Sequence, residues 1–290
     1  MTPATPLAFR AAEVINLAAF FIFTVLAWNR PNLARNRRLA VTKIGVAGIA
    51  ITLFVSQILP RVTTPLAASV TRDWIPYLLL LLFYWQAGHF VTHADTTFEA
   101  TLARLDTKLV APFLERCARS PAGPWILTYL ELAYLLCYVS LPMGLAALYM
   151  LRQGADAGHF WTVVLPAAYA AYGTVPFVQT RPPRALEEKW SEPLLGGKVR
   201  SLNMAILGHA SIHANTFPSG HVASTAACAL ILLRVAPLWV GLIFLVVSLS
   251  IAVGAVAGRY HYAADAILGV LVAFAAFLAD LLALPHVPKH

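Results

Sequence analysis

The sequence predicts an all-α fold, a polytopic membrane bundle of about eight transmembrane helices, and three observations carry that prediction. Of 290 residues, 59% are hydrophobic and 12% are charged, against about a quarter charged in an ordinary soluble domain. The mean hydropathy is +0.71. The apolar residues also gather into long runs, each near the roughly 20 residues that a helix needs to cross a hydrocarbon core. These runs are Ala12 to Trp28, Leu39 to Leu59, Trp74 to His93, Trp125 to Met150, His159 to Gln179, Phe217 to Val235, Leu238 to Ala257 and Tyr262 to Leu284. Backbone groups in lipid need internal partners, so long continuous runs specify helices, whereas barrel strands would be short and alternating.

The first run is followed by Asn29, Arg30 and Pro31 instead of a small-residue cleavage site, so it reads as an uncleaved span. With the second run it forms an N-terminal two-helix membrane addition over residues 1–73. Residues 74–290 then make a six-helix membrane core. No linker, low-complexity stretch or repeat divides the chain. Between the third and fourth runs, residues 94–123 place Phe98, Leu102, Leu105, Leu109, Phe113 and Cys117 at steps of three and four, with charged residues between them. That is the pattern of an amphipathic interfacial helix, and Pro112 is expected to divide it. Between the fifth and sixth runs, Arg181 to Thr216 is the longest polar connection and carries five Lys and Arg residues.

Two function classes are disfavoured by the same composition. Cys117, Cys137 and Cys228 lie far apart and lack metal-ligand spacing, so they read as small packing residues, with no zinc site or disulfide framework. The formal net charge of +8 sits in short loops between apolar runs instead of on one basic face, which points to anionic lipid headgroups and away from nucleic acid.

Three polar segments carry candidate chemistry. Thr216-Phe217-Pro218-Ser219-Gly220-His221 opens the sixth run. Proline suits the first turn of a helix, glycine admits close approach to the backbone, and free N–H groups with the positive dipole end favour phosphate. Ser219 would add a hydroxyl and His221 an acid or base. Gly258-Arg259-Tyr260-His261-Tyr262-Ala263-Ala264-Asp265 opens the eighth run. His261 and Asp265 are four apart and would share a helix face, the carboxylate fixing the imidazole tautomer and leaving the other nitrogen as nucleophile. Arg259 would supply a guanidinium fork for phosphate oxygens. Gln179-Thr180-Arg181-Pro182-Pro183-Arg184 closes the fifth run with two more guanidinium groups. Alternation of the runs puts all three segments on one side of the membrane. His209, His213 and Asn215 precede the Pro-Ser-Gly-His string and are candidate pocket-lining residues.

Together these segments resemble the type 2 phosphatidic acid phosphatase family, whose pattern is Lys-x6-Arg-Pro, Pro-Ser-Gly-His and Arg-x5-His-x3-Asp. The resemblance runs from about Trp74 to Leu284 and includes the interfacial helix. It implies an integral membrane lipid phosphatase acting on a phosphomonoester or pyrophosphate of a lipid. His261 would attack phosphorus to form a phosphohistidine, Asp265 would orient it and His221 would protonate the leaving oxygen. Arg181, Arg184, Arg259, Ser219 and the Gly220 backbone would hold the phosphate, and no metal or other cofactor is implied. The partners implied are a lipid phosphate substrate and membrane lipids.

Two positions depart from the pattern. Thr174 stands where the family has lysine, so that contact is missing or comes from Arg184, Lys198 or Arg200. Ala255 stands where it has arginine, with Arg259 one helical turn, about 6 Å, along the same expected face. The Arg-Tyr-His-Tyr-x-x-Asp form also resembles a bacterial branch and the inositol phosphorylceramide synthases, which transfer the phosphoryl group to a lipid alcohol. A transporter or scaffold with a decayed site would explain Thr174 and Ala255, but it leaves both histidines and the aspartate unexplained. The resemblance implies a multi-pass protein of the cell (inner) membrane with its site facing the periplasm or exterior. Arg30, Arg35, Arg37 and Arg38 on the site's side argue the reverse by the positive-inside rule.

Overall fold

The computed structural model describes residues 8–186 and 197–283. Among them the regular secondary structure is helical, with one isolated bridge between Thr180 and Asn215. The helices are α1 (Ala11–Trp28), α2 (Arg35–Val62, with a π-turn at Phe54–Ile58), α3 (Pro65–Gly88), α4 (Thr96–Leu109), α5 (Ala111–Arg119) and α6 (Gly123–Leu135). They continue as α7 (Ser140–Met150), α8 (Ala157–Gly173), α9 (Lys198–Ala210), α10 (Gly220–Val235), α11 (Leu238–Ala257) and α12 (Ala263–Ala283). Helix α3 starts well before the expected Trp74 and runs unbroken through the position 73/74 boundary.

Five helices are individually long and apolar enough to span a bilayer: α1, α2, α3, α11 and α12. The run Trp125 to Met150, expected as one span, is a bent pair of α6 and α7 meeting at 67°. Its cause is legible in the bonding. Pro142, inside α7, has no N–H for the Tyr138 carbonyl four residues back, and Tyr77 Oη donates to that carbonyl instead at 2.8 Å. Helix α10 is apolar but only 16 residues long, because the Pro-Ser-Gly-His segment occupies its entry. Helix α8 stops at Gly173, six residues short of the expected Gln179.

Two sets of polar bonds stitch the ends of the bundle. At one end Arg10 pairs with Asp73 at 2.6 Å, Arg72 with Glu13 at 2.6 Å and Arg234 with Asp280 at 2.8 Å. Tyr149 Oη and Trp161 Nε1 also donate to the side chain and the carbonyl of Asp73. Charges near a bilayer persist when paired in this way. At the other end the Asp95 N–H donates to the Gln179 carbonyl at 2.8 Å, Arg37 donates to the Val91 carbonyl, and the Ser219 N–H donates to the Asp265 carbonyl at 3.0 Å. The chain thus alternates between the two ends, and all three motif segments fall at the second.

Between the ends lies an apolar core in which Phe20, Phe23 and Phe83 of α1 and α3 interlock, with Phe83 against Tyr169 of α8. Small residues set the closest helix crossings, as expected where lipid supplies no hydrophobic drive. At Gly269 of α12 an added Cβ would lie 2.9 Å from the Ser219 carbonyl, so this glycine lets α12 pass directly under the α10 entry.

The amphipathic segment is two helices, α4 and α5, broken beside Pro112 as expected. The polar connection from Arg181 is not all loop, since α9 occupies Lys198–Ala210. This helix, whose Asn203 and Leu207 are buried, is too short and too mixed to read as a span.

Candidate active site

Helix α11 ends at Ala257, and the next five residues reverse the chain into α12. The Ala255 carbonyl accepts both the Tyr260 and His261 N–H groups, at 2.9 and 3.0 Å. Arg259 takes the left-handed conformation (φ 59°) that helix C-termini usually give to glycine. His261 therefore sits outside α12, two residues before its first residue. Asp265 lies in the first turn and accepts the Tyr262 N–H at 2.8 Å, the reciprocal bond of a capping box. His261 Nδ1 is 3.4 Å from Asp265 Oδ2. The expected juxtaposition is present, but as a corner facing a helix start instead of two residues on one helical face. The same geometry corrects the expected relation of Ala255 and Arg259. Ala255 is fully buried in the last turn of α11, and Arg259 lies beyond that helix.

The second segment meets this corner through the Ser219 N–H to Asp265 carbonyl bond. Ser219 is the N-cap of α10, its Oγ accepting the Val222 N–H at 3.4 Å, and the Gly220 N–H donates to Thr216 Oγ1 at 3.1 Å. Both residues named for phosphate binding are thus engaged in building the helix start. Glycine is needed at position 220 because an added Cβ would lie 2.1 Å from the Tyr172 ring. His221 projects from the first turn with its ring centre 5.9 Å from that of His261, and it is held edge-on by Tyr134 and Tyr138 at 5.9 and 5.7 Å.

The arginines separate into distinct roles. Arg181 is half exposed and turns to Glu99 of α4, donating to it from the backbone N–H at 2.6 Å and from Nη2 at 2.8 Å. These bonds hold the Glu99 carboxyl below its ordinary range. Arg259 is buried and donates to Asp106 at 2.7 Å. Arg184 instead lines a small cavity with His221 and His261. Its Nη1 donates to the Tyr260 carbonyl at 3.3 Å, and its guanidinium lies 5.4 Å from the Tyr260 ring centre. Burial pulls its pKa down, yet a guanidinium stays charged at neutral pH. Thr174 bonds back to the Ala171 carbonyl at 2.7 Å.

Three residues that the sequence did not mark, Glu131, Glu99 and Asp106, complete the site's frame together with Asn215. Asn215, known only as a candidate lining residue, donates to Asp265 Oδ2 at 2.8 Å and to Thr180 Oγ1 at 3.0 Å, joining all three segments. Glu131 of α6 accepts from Tyr260 Oη, from Arg200 Nη1 at 2.9 Å and from Asn203 Nδ2 at 2.7 Å. Glu99 and Asp106 belong to the interfacial helix. Buried carboxylates on apolar or amphipathic helices were the available signal, since each must find a cation or donor. His209 bonds back to its own helix, and His213 is exposed. Among the described residues no three His, Cys, Asp or Glu side chains are grouped to hold a metal ion.

Residues 100–279 match the model of the PAP2 superfamily. The chain belongs to that superfamily. The match takes in α4 from Ala100 onward, both histidines, Asp265 and the three arginines, and leaves α1 to α3 outside it. No curated protein and no solved structure matches the chain significantly. Superfamily membership supports an enzyme of the phosphatase or phosphotransferase type acting on lipid phosphates in membranes, and the long apolar helices support a multi-pass membrane protein.

Proposed function

We propose that the chain is a lipid phosphatase that hydrolyses a phosphomonoester or pyrophosphate of a lipid through a phosphohistidine on His261. The observation that carries this reading is the convergence of His221, His261 and Arg184 on one small cavity. Beside it lies a cavity of 430 Å³, walled mainly by apolar residues of α3, α9 and the α6–α7 bend and reaching His221. An apolar chamber opening on a polar, cationic recess suits a phosphate esterified to an aliphatic alcohol.

In the first step His261 Nε2 attacks phosphorus, the P–N bond forming as the P–O bond to the lipid breaks. Asp265 faces Nδ1 and stabilises the charge that develops on the ring. His221 gives a proton to the departing lipid oxygen and, in the second step, takes one from the water that attacks the phosphohistidine. Arg184 balances charge on the equatorial oxygens, which is most of what phosphoryl transfer asks of a protein. The α1–α2 hairpin is an addition to this machinery, and the site faces the periplasm or exterior.

Purified protein in nanodiscs, supplied with a panel of ³²P-labelled lipid phosphates, tests the reading. The parent should carry acid-labile label on His261 and release inorganic phosphate, and His261→Ala should do neither. Label passed to an added lipid alcohol in place of water would identify a phosphotransferase. Labelled enzyme and full turnover in His261→Ala would refute the assignment. A cysteine introduced at the exposed Ser201 should react with an impermeant maleimide on intact cells, the native cysteines Cys117, Cys137 and Cys228 being buried.

A further inference from the structure

We infer that Asp106, on the interfacial helix α4, is a positioning residue that fixes the corner bearing His261. The inference rests on the reading of His261 as the reacting residue. Asp106 Oδ2 accepts from Arg259 Nη1 at 2.7 Å, and its Oδ1 accepts from the Ala263 N–H at 2.9 Å. One carboxylate therefore grips the chain two residues before His261 and two residues after it. Asp106 and Arg259 are 2% and 3% exposed, so the pair sits where solvent screens it little.

The corner needs such a grip. A non-glycine residue at φ 59° is disfavoured by contact between Cβ and the backbone, and it persists where its surroundings over-determine it. The Arg259 side chain adds its bond to Asp106 to those of its backbone, whose N–H donates to the Val256 carbonyl at 3.1 Å and whose carbonyl accepts the Arg184 N–H at 3.0 Å. The N-terminal flank is also held by Arg200, whose Nη1 donates to the Gly258 carbonyl at 2.5 Å while paired with Glu131. His261 itself has no hydrogen-bond partner at Nδ1 among the described residues, so its placement depends on the backbone that carries it. Arg259 is then a structural partner of Asp106, and the phosphate falls to Arg184.

The consequence reaches beyond one ion pair. Asp106 is one of two inward-facing acids, with Glu99, of a helix that also carries the exposed Leu105 and Leu109. Seating α4 at the lipid–water boundary thereby sets the position of the nucleophile, and an α4 lifted from that boundary would release the corner.

The test uses the full chain in nanodiscs with Asp106→Asn, Asp106→Glu, Arg259→Gln and the double variant Asp106→Asn/Arg259→Gln. Two readouts are taken: kcat and KM on a lipid phosphate that the parent turns over, and the rate of carbethoxylation of His261 followed by mass spectrometry. Asp106→Asn should lower kcat about 100-fold, the scale of a misplacement near 1 Å, with little change in KM. His261 should carbethoxylate at a changed rate. Losses in the double variant should not exceed the larger single loss, because both substitutions break one grip. Asp106→Glu, which keeps the charge, should recover part of kcat. The proposal is overturned if Asp106→Asn keeps parental kcat and parental carbethoxylation, or if the two single losses multiply in the double variant. Should Asp106→Asn not fold, Arg259→Gln and Asp106→Glu decide it by the same two readouts. If the parent turns over no lipid phosphate, the functional reading fails, while carbethoxylation still reports whether Asp106 holds His261.

Discussion

Replacing Arg184 by alanine discriminates most sharply between the arginine roles seen here and those implied by the motif pattern. The guanidinium is half-buried, is anchored by the Tyr260 carbonyl and ring, and shares a cavity with both histidines. Its backbone N–H also bonds the Arg259 carbonyl at 3.0 Å, so the side chain is delivered to the site by the same corner that carries His261. A unit charge about 4 Å from a phosphate oxygen is worth about 4 kcal/mol at an effective dielectric near 20. Removing one preorganised group that meets developing charge costs about 10²–10³-fold in rate. Arg184→Ala should therefore lower single-turnover phosphoryl transfer to His261 by about 10²–10³-fold, and Arg184→Lys should recover only part of it, since an ammonium lacks the planar fork. Arg181→Ala is the paired control. Its side chain is half exposed, is turned to Glu99 and does not line the cavity shared by the two histidines, so the rate of the folded variant should stay within about fivefold of the parent. The assay is quench-flow trapping of labelled enzyme. An Arg184→Ala rate near that of the parent, or a larger loss in Arg181→Ala, would sink the assignment.

Three further outcomes follow from single contacts. Gly220→Ala should cost about 1–3 kcal/mol by overpacking against the Tyr172 ring, read as a lowered Tm in a detergent melt, and the added change Tyr172→Ala should return part of it. Glu99, held by Arg181 below its ordinary 4.5, contributes stability that is present above the unfolded value and lost as pH falls through the lower folded value. The Tm gap between parent and Glu99→Gln should accordingly be open at pH 7 and close on acidification. Ala255→Arg combined with Arg259→Ala should restore no activity and should unfold the chain. Position 255 has no exposed surface and packs among Tyr134, Val222 and Ile251, where an unpaired charge is expensive, and recovered turnover would contradict this packing.

What could be read from the residues divides along a physical line. Hydrophobic runs specify helices because that signal is local, and the three polar segments announced themselves because their residue types are costly at a membrane end. Two kinds of feature escaped that logic. The bend between α6 and α7 depends on Tyr77 reaching the carbonyl that Pro142 leaves open, and Tyr77 stands 61 residues from Tyr138. Arg259 was expected one turn along a helix from Ala255, whereas the apolar run and α11 both end at Ala257 and Arg259 turns left-handed beyond them. Its partner Asp106 lies 153 residues away, and no spacing rule links them.

The acids that frame the site were each visible as a charge out of place: Glu99 and Asp106 on the inner face of an amphipathic helix, and Glu131 within an apolar one. Their partners were visible too, as arginines in the motif segments and on α9. What the sequence did not carry is the matching. Three carboxylates facing Arg181, Arg259 and Arg200 admit several pairings of equal local plausibility, and only the packing of α4 and α6 against the α11–α12 corner selects among them. Buried ion pairs contribute less to stability than to choosing one arrangement over its alternatives when geometry is as specific as this. Once Asp106 takes Arg259 and Glu99 takes Arg181, Arg184 is the motif arginine directed at the histidines. On the proposed reading, the cation that Thr174 does not supply is Arg184, three residues beyond Arg181, because it is the motif arginine that shares a cavity with both histidines.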